Sequence, residues 1–301
     1  MYHPILITLI VLISSFLLYL SFLIYFVFRP PPNNPRAILR LLNSHSSSNK
    51  FRVVFVGDSI THGTMSVNYV DMISSSLGSD HFIFFNAGVN ADTTYDVLLR
   101  LEDIILCEPD IIVILIGTND VLQFLDLSPL KIINSILKHS THPKPTKSSF
   151  RHNLELIIQR LLSHTNAVIG LCSLPPLSED PSSVPFKESI SFSHIIRDVA
   201  FKYNLHYLPI NERMRSYLSA HPSSPKYPLT PFNVERVYLR ELLLRETFDR
   251  VSRANGFSLL IDNIHLNSVG ARIVADTIIS FIHSVLSEVF SHYPSVYTNE
   301  K

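Results

Sequence analysis

Asp110-Ile-Ile-Val-Ile-Leu-Ile116, running into Gly117-Thr118-Asn119-Asp120, carries the strongest strand signal in the 301-residue chain. It is apolar without interruption from 111 to 116, as expected of a central parallel strand covered by helices on both faces. On its N-terminal side, Phe51-Arg-Val-Val-Phe-Val56 ends at Gly57 and reads as a second buried strand, and 82–85 as a third. Helical spacing lies between them over 69–77. It returns over 95–106, where apolar residues stand at 97, 98, 101, 104 and 105. On the C-terminal side the alternation continues, with helix over 150–162, strand over 167–171, helix over 190–203 and a short strand over 206–208. A long amphipathic helix over 234–254, stopped by Asn255-Gly256, precedes a last helix over 268–290 with Asn267 as its N-cap. This alternation predicts an α/β fold, a parallel sheet with helices on both faces.

In such sheets the chemistry lies beyond the carboxyl ends of the strands. The first strand ends in Gly57-Asp58-Ser59-Ile60-Thr61. The second ends in Asn86-Ala87-Gly88-Val89-Asn90-Ala91-Asp92-Thr93-Thr94, the third in Gly117-Thr118-Asn119-Asp120. Asp262-Asn263-Ile264-His265-Leu266-Asn267 comes just before the last helix. Together these clusters supply a hydroxyl, a histidine, a carboxylate and amide donors, the parts of an acyl-transfer site. A serine hydroxyl needs a base at neutral pH. His265 is the candidate base for Ser59, and Asp262, three residues before it, can bind Nδ1 and fix the tautomer. Singly, each residue has a plain alternative: a turn serine, a histidine near a helix start, a loop carboxylate. Their coincidence at the predicted strand ends favours catalysis.

These four blocks, in this order from about Phe51 to Ile282, resemble the SGNH hydrolases, the Gly-Asp-Ser branch of the lipases and esterases. The resemblance implies a three-layer α/β/α sandwich, flavodoxin-like, around a five-stranded parallel sheet. It also implies a serine nucleophile, hydrolysis of an ester or thioester, and no metal or cofactor. For the oxyanion it points to the backbone N–H of Ser59, the side-chain amide of Asn119 and a backbone N–H of the second block. That last donor is Gly88, or the position three residues later, where this chain has Ala91. Asp58 and Asp120 read as supporting carboxylates, and Asn86, Asp92 and Thr93 as braces of the second block. His62 has no carboxylate at a suitable spacing and reads as pocket wall or surface.

Composition narrows the alternatives. Hydrophobic residues are 46% and charged residues 17%, too apolar for a disordered chain. Lys plus Arg equals Asp plus Glu at 25 each, without the basic excess of a nucleic-acid binder. Two cysteines, Cys107 and Cys172, cannot build a disulfide scaffold or a cysteine-based zinc site. The expected partner is a small-molecule or lipid ester, with acyl transfer to a lipid or glycan hydroxyl as the alternative to hydrolysis and a non-catalytic binding protein as a third reading. Oligomeric state is not legible.

Residues 5–28 carry no charge and are apolar all round. At 1.5 Å per residue they reach roughly 36 Å, enough to cross a hydrocarbon core of about 30 Å. The run exceeds an ordinary signal-peptide core and has no basic start, so residues 1–28 read as a single-pass membrane anchor. Arg29, Arg36 and Arg40 follow it, which places the domain on the cytoplasmic side by the positive-inside rule. Residues 29–50, rich in proline and serine, read as a linker, 51–291 as the hydrolase domain and 292–301 as a tail. Inserts at 125–149, with Lys131, Lys138, Lys144 and Lys147, at 174–188 and at 212–260 read equally well as walls or lids of the site and as solvated surface excursions around a core helix.

Overall fold

The computed structural model describes residues 2–42, 50–128, 143–234, 236–237 and 246–292. In chain order the elements are α1 (Tyr2–Phe28), α2 (Pro35–Leu42), β1 (Phe51–Gly57), α3 (Ser59–His62), α4 (Tyr69–Leu77), β2 (Phe82–Gly88), α5 (Thr94–Leu99), α6 (Leu101–Ile105) and β3 (Ile111–Leu115). There follow α7 (Thr118–Phe124), α8 (Lys147–His164), β4 (Val168–Cys172), α9 (Val184–Lys202), β5 (His206–Leu208), α10 (Ile210–Ala220), α11 (Phe248–Asn255) and α12 (Ser268–His292).

The five strands form one sheet in the order β2-β1-β3-β4-β5, every pair parallel. Because side chains alternate along a strand, β1 feeds two cores. Val54 and Val56 pack with Val97, Leu101, Leu154, Ile158 and Val199 on one face. Val53 and Phe55 pack with Val70, Ile73, Val274, Ile278 and Ile282 on the other. The result is the expected three-layer α/β fold. The chain leaves β1 for β2 on one side and then crosses to β3 on the other, opening a crevice beyond the ends of β1. Register brings Gly57 level with both Gly88 and Leu115, so the three site-bearing turns start at one height.

The structure revises several boundaries. The chain divides into two compact units, the second beginning at Pro31, so much of the expected linker at 29–50 belongs to the domain. Ile38, Leu39 and Leu42 lie on one side of α2 and pack against the core. The Asn33 carbonyl accepts the Asn86 N–H at 2.9 Å, covering the edge strand β2. The helix expected over 95–106 is two helices, broken at Arg100, whose backbone leaves helical geometry. The helix expected over 234–254 is not continuous. Thr247 is extended and caps α11, and Gly256 ends it in left-handed conformation as the Asn255-Gly256 pair predicts. Residues 238–245 lie outside the described residues, as do Lys131 and Lys138. The sequence reading did not anticipate α10.

The first unit contains α1, 27 residues long. Within it the described apolar stretch is Leu6–Leu18, shorter than a membrane span. Among the described residues the one segment long and apolar enough to cross a membrane is Ser268–Glu288, in α12. Half of it is buried, with Ala271, Val274, Ile278 and Ile282 inside the core. Its hydropathy is that of a core helix.

Candidate active site

Gly57 closes β1, where a Cβ would run into Thr61 and the Leu115 carbonyl, so only glycine fits the turn. Asp58 caps α3, its Oδ1 accepting the Ile60 N–H at 3.0 Å. Ser59 is thereby the first helical residue, and its N–H is one of the donors that a helix start leaves unpaired within the helix. On the far side of the crevice, the 260–266 loop is closed by Ile261 N–H to His265 O at 2.8 Å and by the Leu260–Leu266 bridge. Asp262 Oδ1 accepts the N–H groups of Ile264 and His265, at 3.0 and 2.8 Å.

These two turns meet. His265 Nδ1 lies 2.7 Å from Asp262 Oδ2, and His265 Nε2 lies 3.0 Å from Ser59 Oγ. With Nδ1 donating to the carboxylate, Nε2 is left as an acceptor for the serine hydroxyl. All three residues are buried. Burial alone would push the imidazole pKa down. The Asp262 charge and hydrogen bond, with Asp58 behind them, outweigh it and hold His265 above its ordinary 6.5. Asp58 is itself raised to about 7, because desolvation outweighs the Ile60 hydrogen bond and the favourable His265 charge.

The second and third blocks supply amide groups beside the nucleophile turn. Asn119, in the first turn of α7, donates one Nδ2 hydrogen to the Asp92 carbonyl at 3.0 Å, and among the described residues no partner takes the second. Gly88 does not suit the role that the sequence resemblance gave it. Its N–H donates to Asn86 Oδ1 at 3.0 Å, and a Cβ there would strike the backbone of Thr61 and His62. Gly88 is a packing glycine. Ala91, three residues on, is buried in left-handed backbone at φ 63°, a conformation that favours glycine.

The supporting residues connect the blocks. Asp120 accepts both the N–H and the hydroxyl of Thr94, at 3.0 and 2.7 Å, and burial raises its pKa to about 6. Thr93 and Asp96 cap α5 reciprocally. Asn86 Nδ2 donates to the Thr61 carbonyl at 2.9 Å. His62 is buried, with Nδ1 2.7 Å from Thr64 Oγ1. Sequence reasoning missed Arg100. Its guanidinium pairs with Asp92 Oδ2 at 2.7 Å and donates to the Gly57 carbonyl at 3.2 Å, tying the nucleophile turn to the second block. The only hint was a basic residue within an otherwise helical period.

The family described as GDSL-like Lipase/Acylhydrolase family matches residues 55–273. Among solved structures, the acetyl xylan esterase AlAXEase superposes with a TM-score of 0.55 at 23% identity, covering 77% of this chain and 100% of that one. The acetylxylan esterase Axe2 from Geobacillus stearothermophilus gives 0.53 at 18% identity, with 78% and 96% covered. The lipase/acylhydrolase from Enterococcus faecalis gives 0.50 at 22% identity, with 77% and 95% covered. At these identities the likeness is one of fold. No curated protein sequence matches the chain.

Proposed function

Because the chain belongs to the GDSL-like lipase/acylhydrolase family and is an ester-hydrolysing enzyme, we propose that it works through a Ser59–His265–Asp262 triad and an acyl-enzyme. The observation that carries this is the unbroken hydrogen-bonded path from Asp262 through His265 to Ser59. Ser59 Oγ bonds to the ester carbonyl carbon while His265 Nε2 takes its proton. The oxyanion is held by the Ser59 N–H and the second Nδ2 hydrogen of Asn119, with a backbone N–H of the second block other than that of Gly88 as the third donor. His265 returns the proton to the leaving alcohol or thiol as the carbon–oxygen or carbon–sulfur bond breaks. Water, activated by the same base, then releases the acid.

The test is a fluorophosphonate. It should add one phosphonyl group, located on the Ser59 peptide by mass spectrometry, and an acyl-chain series should reveal a hydrolysed ester. A folded protein that stays unlabelled would sink the proposal. Short acyl esters of sugars are the substrate class to begin with, since two structural neighbours are acetylxylan esterases.

The pH dependence follows from the direction of the His265 shift. Protonated imidazole cannot accept the serine proton, so kcat/KM should fall with decreasing pH. The midpoint of that acid limb should lie above the ordinary histidine value of 6.5. A limb centred below 6.5 would contradict the Asp262 coupling.

We also propose that α1 anchors the chain in a membrane. The described side chains from Leu6 to Leu18 include Leu6, Ile7, Leu9, Ile10, Val11 and Leu12, all exposed and on every side of the helix. In this reading Arg29, Arg36 and Arg40 keep the domain on the cytoplasmic side. Full-length protein should resist alkaline carbonate extraction, and a protein lacking residues 1–30 should not. Protease protection of the domain in sealed vesicles reports its side.

A further inference from the structure

The insert after β4 reaches the loop that carries Asp262 and His265. Ser178, in left-handed backbone at φ 74°, donates its N–H to the Asn263 carbonyl at 2.8 Å. Asn263 lies between Asp262 and His265. The next residue, Glu179, has a buried carboxylate. Its Oε1 accepts the N–H groups of Leu259 and Leu260, both at 2.7 Å, and its Oε2 accepts that of Ser258 at 2.8 Å.

We infer that Glu179 is a positioning residue for catalysis, which fixes the base of the 260–266 loop and so sets where His265 meets Ser59. This rests on the proposed roles of His265 and Asp262. Leu259 and Leu260 are fully buried, so without the carboxylate their N–H groups would stand unpaired in a dry interior. A carboxylate serves there better than a neutral group, because it offers acceptors only and a charge-assisted bond is stronger. The segment it grips leads directly to Asp262 and His265. Leu260 bridges to Leu266, and Ile261 N–H binds the His265 carbonyl at 2.8 Å, so a shift of 258–260 moves His265 with it.

Other fastenings remain when Glu179 changes. Ser252 Oγ donates to the Leu260 carbonyl at 2.7 Å, and Asn267 N–H to the Leu259 carbonyl at 2.9 Å. The loop should therefore stay closed while its position loosens. A displacement of about 1 Å is enough to cost on the order of 10²-fold in rate.

The test compares Glu179→Gln with the wild type, both full length. Glutamine keeps the size but sets an NH₂ against at least one backbone N–H. We expect kcat and the rate of fluorophosphonate labelling to fall together by roughly 10- to 100-fold, with KM changed less than about threefold. The acid limb should move to lower pH, and the downfield proton resonance of His265 Nδ1 should shift or broaden, as the contact with Asp262 loosens. A purely structural role would lower Tm and leave the limb and the resonance in place. Glu179→Asp keeps the anion, draws it back by one methylene, and should retain more activity than Glu179→Gln. Wild-type kinetics, limb and resonance in a folded Glu179→Gln would overturn this inference alone. Failure of both variants to fold would make Glu179 a determinant of folding and overturn it too. A folded wild-type chain that neither labels nor hydrolyses esters would overturn the site reading itself, and this inference with it.

Discussion

Ser59→Ala is expected to abolish fluorophosphonate labelling and to lower kcat by a factor on the order of 10⁶, with the fold intact. Among the described residues the hydroxyl makes one hydrogen bond, to His265 Nε2 at 3.0 Å, so its loss leaves a shallow void and little else. His265→Ala should come close to the same loss, because nothing then takes the serine proton. Asp262→Asn should cost as much as ~10⁴ in kcat, since an amide can stabilise the wrong imidazole tautomer. Asn at 262 can still accept the Ile264 and His265 N–H groups through its oxygen, so binding should suffer less than turnover. Combined variants should lose little more than Ser59→Ala alone, because the three residues act as one unit. The measurements are kcat, KM and intact mass after labelling. A folded Ser59→Ala protein that still takes up the phosphonyl group would move the nucleophile to another serine.

Asn119→Ala should lower kcat by roughly 10²–10³-fold, about 3–4 kcal/mol of transition-state stabilisation. KM should change much less, because the oxyanion exists only during reaction. A second effect follows from the structure. The same side chain donates to the Asp92 carbonyl at 3.0 Å, so the variant should also lose about 1 kcal/mol of stability, the net value of an ordinary hydrogen bond. Thermal unfolding separates the two effects. Unchanged kcat with a lowered Tm would leave Asn119 as a loop brace and remove it from the oxyanion site.

The sheet was legible because its strands are local patterns. The apolar run at 111–116 and the β-branched run at 51–56 name central strands without help from the rest of the chain. That Ser59, His265 and Asp262 would meet was legible because the parallel α/β arrangement says where to look, and few side chains there could serve a candidate site as nucleophile and base. What was illegible depends on partners distant in sequence. Gly88 is fixed by the backbone of Thr61 and His62, which a Cβ there would strike and which belongs to the turn after a different strand. The role of Arg100 depends on the Gly57 carbonyl, 43 residues earlier, to which its guanidinium donates. Glu179 grips amides 79 to 81 residues further on, and no periodicity encodes that. At the N-terminus, apolar composition alone fits a membrane anchor and a signal sequence, so the span at 5–28 needs independent support.

The 206 residues that separate Ser59 from His265 also bear on how the protein comes into being. A fragment ending before the 260–266 loop can pair β1 to β5 and bury most of one core, yet it lacks the base proposed for Ser59. Contacts so far apart in the chain form late, after the loop-closure entropy between them has been met. On refolding, or on emergence from the ribosome, recovery of labelling should therefore trail recovery of sheet structure. Labelling would then act as a clock for the docking of α12 and the loop that precedes it.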